Sequence, residues 1–171
     1  MSHTRRRIVI TGFMGAGKTT VALALARLLD CASLDLDDLI AAREGRTPQR
    51  LIDEDGEDAF RDAETRALRE ALESGGARII ATGGGTWTLE RNRAIVAARG
   101  CLTVWLDAPF ELCWQRIQTT DNSRPFARDK VEAEKLYRRR RDLYALAEFH
   151  LLVTPEETPA RLAEKIRPAL S

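Results

Sequence analysis

Short apolar runs alternate with longer amphipathic segments along this chain. Five mainly apolar runs are recognisable, and they cover residues 7–11, 32–36, 78–82, 102–106 and 149–153. Such runs are typical of strands that are buried on both faces, because a strand with one solvent-exposed face alternates apolar and polar residues. The pattern therefore predicts five buried strands.

Between these runs the apolar residues recur with helical spacing. The spacing i, i+4, i+7, i+8 follows the first run, at Val21, Leu25, Leu28 and Leu29. A similar pattern covers residues 60–71. Two further helices are predicted to begin near Asp107 and Thr158, which are N-cap residues with a proline close behind. This alternation of strands and helices indicates an α/β fold with a parallel sheet and right-handed crossovers.

Length, charge and cysteine content narrow the class of protein. The chain has 171 residues, and we expect residues 1–171 to form a single domain. Its 27 basic and 26 acidic residues nearly cancel, which does not favour a nucleic-acid partner. No apolar stretch approaches the ~18 residues of a membrane span, and three scattered cysteines fit neither a disulfide framework nor a zinc site. We therefore expect a cytoplasmic protein without a nucleic-acid or membrane partner. We also expect a monomer, although the sequence itself does not give the oligomeric state.

The segment between the first strand and the first helix carries a phosphate-binding motif. Residues 12–19, at the start of GFMGAGKTT, match the pattern G-x-x-x-x-G-K-[ST] at every position. In this motif backbone N–H groups and the positive end of the helix surround phosphate oxygens. Lys18 is expected to reach the outer phosphates, and Thr19 to offer its hydroxyl to Mg²⁺. The predicted nucleotide contacts in this loop are Gly12, Gly15, Ala16, Gly17, Lys18, Thr19 and Thr20.

A nucleotide site of this kind also needs a carboxylate at the end of a neighbouring strand to help hold Mg²⁺. Two candidates compete, namely Asp107 after the fourth run and the pair Asp35 and Asp37 after the second. Asp107 has a sufficient structural role as a helix N-cap. Asp35 and Asp37 alternate on an extended segment and should point the same way, which is costly unless cations or substrate hydroxyls compensate their charges. We assign Asp35 to the metal and Asp37 to the substrate.

Two further segments are expected to contribute to the site. Gly83, Gly84 and Gly85 follow the third strand, at the edge of a parallel sheet where ligands bind, and their bare backbone would let a small polar ligand approach closely. An ordinary loop is the alternative. Residues 117–130 include a long polar stretch with a proline between two helices, and we predict that they form a lid.

Six motifs, taken in order, resemble those of the shikimate kinase family: GFMGAGKTT, DLDDLI, FRDAE, TGGG, RPF and RRRRDLY. The resemblance implies a P-loop NTPase fold, in which a five-stranded parallel sheet of order 2-3-1-4-5 is flanked by helices and carries a lid. It also implies that ATP and Mg²⁺ are used to phosphorylate the 3-hydroxyl of shikimate, on the route to chorismate and the aromatic amino acids. Two alternatives are a kinase of the same fold for another polyol acid, such as gluconate, and a nucleotide-binding protein without turnover.

On the substrate side, the resemblance implies a binding region over about residues 35–64, together with the glycine run. Arg61 and Arg140 match two arginines that bind the substrate carboxylate. Asp37 matches an aspartate that meets the substrate hydroxyls, as a general base or as a positioning group. Arg61 could instead pair with Glu57 or Glu64 of its own helix. Arg139 or Arg141 could take the place of Arg140.

On the nucleotide side, the resemblance implies that Arg124 is a lid arginine close to the transferring phosphate. Thr158 and Pro159 belong to a stretch that resembles the loop beside adenine. Arg116 stands one residue before the position of a further lid arginine, where this chain has Ile117, and could substitute for it. The expected catalytic set is Lys18, Asp37 and Arg124.

Overall fold

A computed structural model describes residues 6–120 and 129–171 of the chain. Five parallel strands form one sheet in the order β2-β3-β1-β4-β5. The strands are Ile8–Thr11 (β1), Ser33–Asp35 (β2), Ile79–Ala81 (β3), Leu102–Asp107 (β4) and Phe149–Leu152 (β5). The predicted fold class and strand order are therefore confirmed.

Helices connect and cover these strands. In the described residues they are Lys18–Leu28 (α1), Leu36–Glu44 (α2), Pro48–Asp55 (α3), Glu57–Glu73 (α4), Glu90–Ala98 (α5), Phe110–Thr119 (α6), Lys130–Tyr144 (α7) and Pro159–Ile166 (α8). Short 3-10 helices lie at Thr86–Thr88 and Arg167–Leu170. Within the two described ranges, no helix combines the length and the apolarity that crossing a bilayer requires.

The centre of the sheet carries the hydrophobic core. Every residue of β1 is buried, and so is every residue of β4 except the last. Strand β1 pairs with β3 on one side and with β4 on the other. Because all strands are parallel, their carboxyl ends meet at one edge of the sheet, and the segments that follow β1, β2 and β3 begin side by side there.

The end of β2 differs from the prediction. Asp35 is the last residue of the strand and also the N-cap of α2, since its carboxylate accepts a hydrogen bond from the Asp37 N–H at 2.9 Å. The prediction that Asp35 and Asp37 alternate on an extended segment is therefore wrong. The two residues lie at the cap and in the first turn of a helix, which brings them together by a different geometry.

The two predicted helix caps have different outcomes. Thr158 caps α8, and its hydroxyl accepts a hydrogen bond from the Arg161 N–H at 3.2 Å. Asp107 does not cap α6, because that helix begins after Pro109 and has no side-chain cap. The Asp107 side chain is engaged elsewhere, as described below.

The predicted lid lies mostly between two helices. Its first residue, Ile117, belongs to α6, and its last, Lys130, begins α7. Residues 121–128, which include Arg124, lie outside the described residues. The lid and the role of Arg124 therefore remain predictions.

Candidate active site

The glycine-rich loop forms a tight turn between β1 and α1. Gly15 has φ +79°, and a Cβ placed on it would lie 2.6 Å from the carbonyl oxygen of Cys113 in α6. Only glycine combines this conformation with so close a backbone approach. Inside the turn, the Ala16 N–H donates to the Phe13 carbonyl at 3.1 Å. The turn delivers the chain into the N-terminus of α1, whose first N–H groups have no acceptor within the helix.

Two cationic side chains lie on this loop. Lys18 Nζ donates to the carbonyl oxygens of Gly12 and Phe13 at 2.9 and 3.0 Å. Arg116 Nη1 donates to the carbonyl oxygens of Gly15 and Ala16, each at 3.1 Å. The structure thus places Arg116 directly on the phosphate-binding loop. Positive charge beside an amide-rich turn suits a polyphosphate ligand.

The two groups assigned to the metal lie in contact. Thr19 Oγ1 donates to Asp35 Oδ2 at 2.5 Å. In residues 6–120 and 129–171, no group of three or more His, Cys, Asp or Glu side chains could hold a metal ion without other ligands. Mg²⁺ is usually held by one or two carboxylates, waters and substrate phosphates. A hydroxyl and a carboxylate beside a phosphate-binding loop fit such an ion.

Asp107, the competing metal carboxylate, is paired with α7. Its two oxygens accept from Arg141 Nη1 at 2.8 Å and Nη2 at 3.1 Å. The same guanidinium lies 5.1 Å from the centre of the Trp105 ring. The pair therefore joins the end of β4 to α7, and Asp35 is the carboxylate that contacts Thr19. The Trp105 ring itself is buried.

Arg140 is the arginine of its run that turns inward. It is 9% exposed, whereas Arg139 is exposed and Arg141 faces Asp107. A Cβ placed on Gly84 would lie 3.3 Å from Arg140 Nη1. Burial lowers the pKa of Arg140, and the neighbouring Arg61 guanidinium adds to that effect. Two guanidinium groups this close together can bind one anion jointly.

Arg61 both pairs with glutamates and reaches the glycine run. Its Nη1 lies 2.8 Å from Glu64 Oε1, and its Nη2 lies 3.6 Å from Glu57 Oε1. A Cβ placed on Gly85 would lie 2.5 Å from Arg61 Nη1, so a larger residue at position 85 would displace the guanidinium. The pairing within the helix and the placement at the predicted site are thus both present.

Asp37 lies against the first glycine of the run. A Cβ placed on Gly83 would lie 3.1 Å from Asp37 Oδ1. Burial raises the pKa of Asp37 to about 6, the charges of Asp35 and Glu64 act in the same direction, and Lys18 opposes them. A carboxyl group whose pKa is shifted by burial and by neighbouring charges is typical of a functional site.

Sequence reasoning assigned no site role to Glu64 or Tyr144, the two side chains that hold these groups. Glu64 is fully buried and accepts hydrogen bonds from Arg61 and from Thr86 Oγ1, the latter at 2.7 Å. Tyr144 is 1% exposed, and its hydroxyl donates to the Gly84 carbonyl at 2.5 Å. Burial raises the pKa of Tyr144 to about 12, so it keeps its proton at neutral pH. The i, i+3 spacing of Arg61 and Glu64 indicates from the sequence that the two can pair, but only the fold shows that Glu64 is buried.

Together these contacts bring Asp37, Arg61 and Arg140 to the glycine run beside the phosphate-binding loop. Thr158 and Pro159 begin α8 after β5, at the same edge of the sheet. In the structure these two residues form the start of that helix, and their contact with a nucleotide remains a prediction. The same holds for Thr20, in the first turn of α1.

Known proteins resemble this chain over nearly its whole length. The sequence model of the shikimate kinase family matches residues 14–171. The shikimate kinase of Nostoc punctiforme is 37% identical over 162 residues, which cover 93% of this chain and 87% of that protein. The shikimate kinase of Ruegeria pomeroyi is 32% identical over 169 residues, which cover 97% of this chain and 85% of that protein.

Solved structures give the same result. The shikimate kinase of Acinetobacter baumannii in complex with shikimate is 35% identical, with a TM-score of 0.89, over 98% of this chain and 93% of that one. The APS kinase of Mycobacterium tuberculosis, at 20% identity and a TM-score of 0.58, shares the fold alone. With sequence and structural matches that span almost every residue, this chain belongs to the shikimate kinase family.

Proposed function

We propose that this protein transfers the γ-phosphate of ATP to the 3-hydroxyl of shikimate, a step on the route to chorismate and the aromatic amino acids. The observation that carries the proposal is the convergence of Asp37, Arg61 and Arg140 on the glycine run beside the phosphate-binding loop. Shikimate is a compact polyol with one carboxylate. Guanidinium groups suit the carboxylate, and a side-chain carboxylate suits the hydroxyls. The related proteins give no support to gluconate as the substrate.

The phosphate-binding loop holds the nucleotide in this proposal. Its backbone N–H groups bind the phosphate oxygens, and Lys18 exchanges its contacts with the loop carbonyls for contacts with the outer phosphates. Thr19 and Asp35 are the residues that would hold Mg²⁺, which supplies positive charge to the phosphate oxygens. Arg116 stabilises the loop from the side of α6. Arg124 is the proposed partner of the transferring phosphoryl group.

Asp37 orients the reacting hydroxyl. Its carboxylate is ionised above pH 6 and accepts a hydrogen bond from the 3-hydroxyl, while Arg61 and Arg140 fix the carboxylate of the same molecule. Phosphoryl transfer passes through a loose transition state that depends on positioning and positive charge more than on a strong base. We therefore assign Asp37 a positioning role, in which it holds the hydroxyl in line with the phosphoryl group.

The test is a substrate panel. Purified protein is incubated with ATP and Mg²⁺ and with shikimate, quinate or gluconate, and ADP release is measured against a buffer control. We expect release with shikimate and none with gluconate. Release at the buffer rate with shikimate would refute the proposal, and a preference for gluconate would establish the alternative kinase.

Variants of the two arginines test their assigned role. We expect Arg61→Ala and Arg140→Ala to raise the KM for shikimate and to leave ATP affinity largely unchanged. Arg139→Ala is a matched control, because this neighbouring guanidinium is exposed. A comparable loss of ATP binding in either variant would show that the assigned roles are wrong.

We also infer that the protein is a cytoplasmic monomer, with residues 1–171 in one domain and a lid over residues 117–130. The nearly balanced charge supports the absence of a nucleic-acid partner. Light scattering at assay concentrations gives the mass in solution. A dimer mass would overturn the monomer, and retention on DNA at physiological salt would overturn the absence of a nucleic-acid partner.

A further inference from the structure

A network of buried hydrogen bonds lies behind the substrate side of the candidate site. At its centre is Asn92 of α5, which is 0% exposed. Its Nδ2 donates to the backbone oxygen of Thr86 at 2.9 Å. Its Oδ1 accepts from the hydroxyl of Thr65 at 2.8 Å. The amide thus uses its donor and its acceptor on two different segments of the chain.

Both partners belong to segments that carry proposed substrate groups. Thr65 lies on α4 one turn after Arg61, and its hydroxyl is 3.0 Å from the Arg61 carbonyl oxygen. Thr86 directly follows the glycine run, and its hydroxyl donates to Glu64 at 2.7 Å. Glu64 in turn accepts from the Arg61 guanidinium at 2.8 Å. Asn92 therefore joins α4 to the glycine run at the place where Arg61 lies against that run.

In the proposed function, substrate binding depends on where Arg61 lies relative to the glycine run. Because a Cβ on Gly85 would lie 2.5 Å from Arg61 Nη1, the guanidinium packs directly on the backbone of the run. A displacement of about 1 Å at a binding or catalytic group can cost on the order of 100-fold in rate.

From this network we propose that Asn92 is a positioning residue for substrate binding, which sets the place of Arg61 relative to residues 83–85. The inference rests on the proposed function, because it assumes that Arg61 binds the substrate carboxylate. It assigns to α5, a helix outside the site, a role in substrate affinity. An aspartate at position 92 has the same shape but only acceptors when ionised, so the donor to the Thr86 carbonyl is lost. A buried acceptor without its donor costs free energy.

The first experiment compares steady-state kinetics of wild type and Asn92→Asp. We expect the KM for shikimate to rise roughly tenfold, as for one lost buried hydrogen bond, while the KM for ATP changes less than about twofold. Thr65→Val removes the other hydrogen bond with little change of shape and should give the same pattern. Thr65→Val also keeps the proposal testable if Asn92→Asp does not fold.

A control separates positioning from a general loss of stability. Thr103 lies on β4, and its buried hydroxyl accepts from the Glu148 N–H at 2.8 Å. Thr103→Val removes one buried hydrogen bond away from the glycine run, so it should lower the free energy of unfolding but not change the KM for shikimate. Equal effects of Asn92→Asp on both KM values, or an unchanged KM for shikimate, would overturn the proposal.

A double-mutant cycle tests the coupling to Arg61. In an Arg61→Ala background the group that Asn92 positions is gone, so Asn92→Asp should lower kcat/KM for shikimate by less than twofold. In an Arg140→Ala background the roughly tenfold effect should persist. Equal effects in both backgrounds would refute the coupling. Turnover of shikimate by the wild-type protein, measured first, shows separately whether the proposed function holds.

Discussion

Replacing Asp37 by asparagine should stabilise the folded protein and at the same time lower its turnover. In the wild type, burial and then the charges of Asp35 and Glu64 raise the pKa of Asp37 from 3.8 to about 6, against the effect of Lys18, and Asp38 makes a smaller contribution in the upward direction. The folded protein therefore binds this proton more tightly than the unfolded chain does. Ionisation of Asp37 at neutral pH consequently weakens folding.

The size and the sign of the effect follow from this pKa. The difference between 3.8 and about 6 corresponds to an upper bound of ~3 kcal/mol. Because the side chain is partly exposed, screening by solvent reduces the expected effect to about 1 to 2 kcal/mol. Below pH 4 the ionisation of Asp37 does not change the free energy of unfolding. It lowers that free energy as the pH rises from 4 to 6, and the full decrease is reached above pH 6.

The assay is urea unfolding of the nucleotide-free protein at pH 5, 6, 7 and 8, followed by tryptophan fluorescence. We expect the free energy of unfolding of Asp37→Asn to exceed that of wild type by about 1 to 2 kcal/mol at pH 8. This difference in stability should shrink towards pH 5. Asp38→Asn is the matched control, because it removes a negative charge from an exposed position in the same helical turn. Near-normal turnover of Asp37→Asn would remove Asp37 from the mechanism.

Three results would refute the electrostatic reasoning. These are a variant no more stable than wild type at pH 8, a gain that does not depend on pH, and an equal gain in Asp38→Asn. The first would show that the folded protein does not disfavour the charge of Asp37. The second and third would show that the gain arises from something other than its ionisation.

Three further predictions concern other parts of the site. Gly85→Ala should raise the KM for shikimate at least tenfold by displacing the Arg61 guanidinium, and a nucleotide titration should show unchanged ATP affinity. An equal loss of shikimate affinity and ATP affinity would contradict this prediction. Asp35→Asn should raise the Mg²⁺ concentration for half-maximal activity roughly tenfold, and an unchanged Mg²⁺ dependence would exclude Asp35 as a metal residue. Asp107→Asn weakens the pair with Arg141 and should lower the free energy of unfolding by about 1 kcal/mol, and an unchanged urea midpoint would show that the pair is not stabilising.

The strands and the phosphate-binding loop could be predicted from the sequence because their signals are local. A strand that is buried on both faces is an apolar run, and the loop motif has a fixed spacing. Each of the five predicted runs coincides with one strand of the sheet, and only β4 extends beyond its run, by the single residue Asp107. The strand order, by contrast, came only from the family resemblance, because the sequence pattern does not say which strands are neighbours.

The aspartates at strand ends show where local reasoning fails. Asp35 and Asp107 both close a strand and both precede a helix. Asp35 caps its helix, whereas Asp107 pairs with Arg141, which lies on a different helix. The cap depends on local backbone geometry, but the ion pair depends on a contact between distant parts of the chain. Burial is equally nonlocal, and it is burial that distinguishes Arg140 from the exposed Arg139.

The charges of the site also explain why a hydroxy acid suits it better than a neutral sugar. On one side, Arg61 and Arg140 lie close enough that the first helps to lower the pKa of the second, so a substrate carboxylate would relieve their repulsion. On the other side, burial makes the ionisation of Asp37 unfavourable, and the charge of Lys18 opposes that effect. A substrate hydroxyl can donate a hydrogen bond to the ionised carboxylate. A molecule with a carboxylate at one end and hydroxyls at the other satisfies both groups in a single orientation.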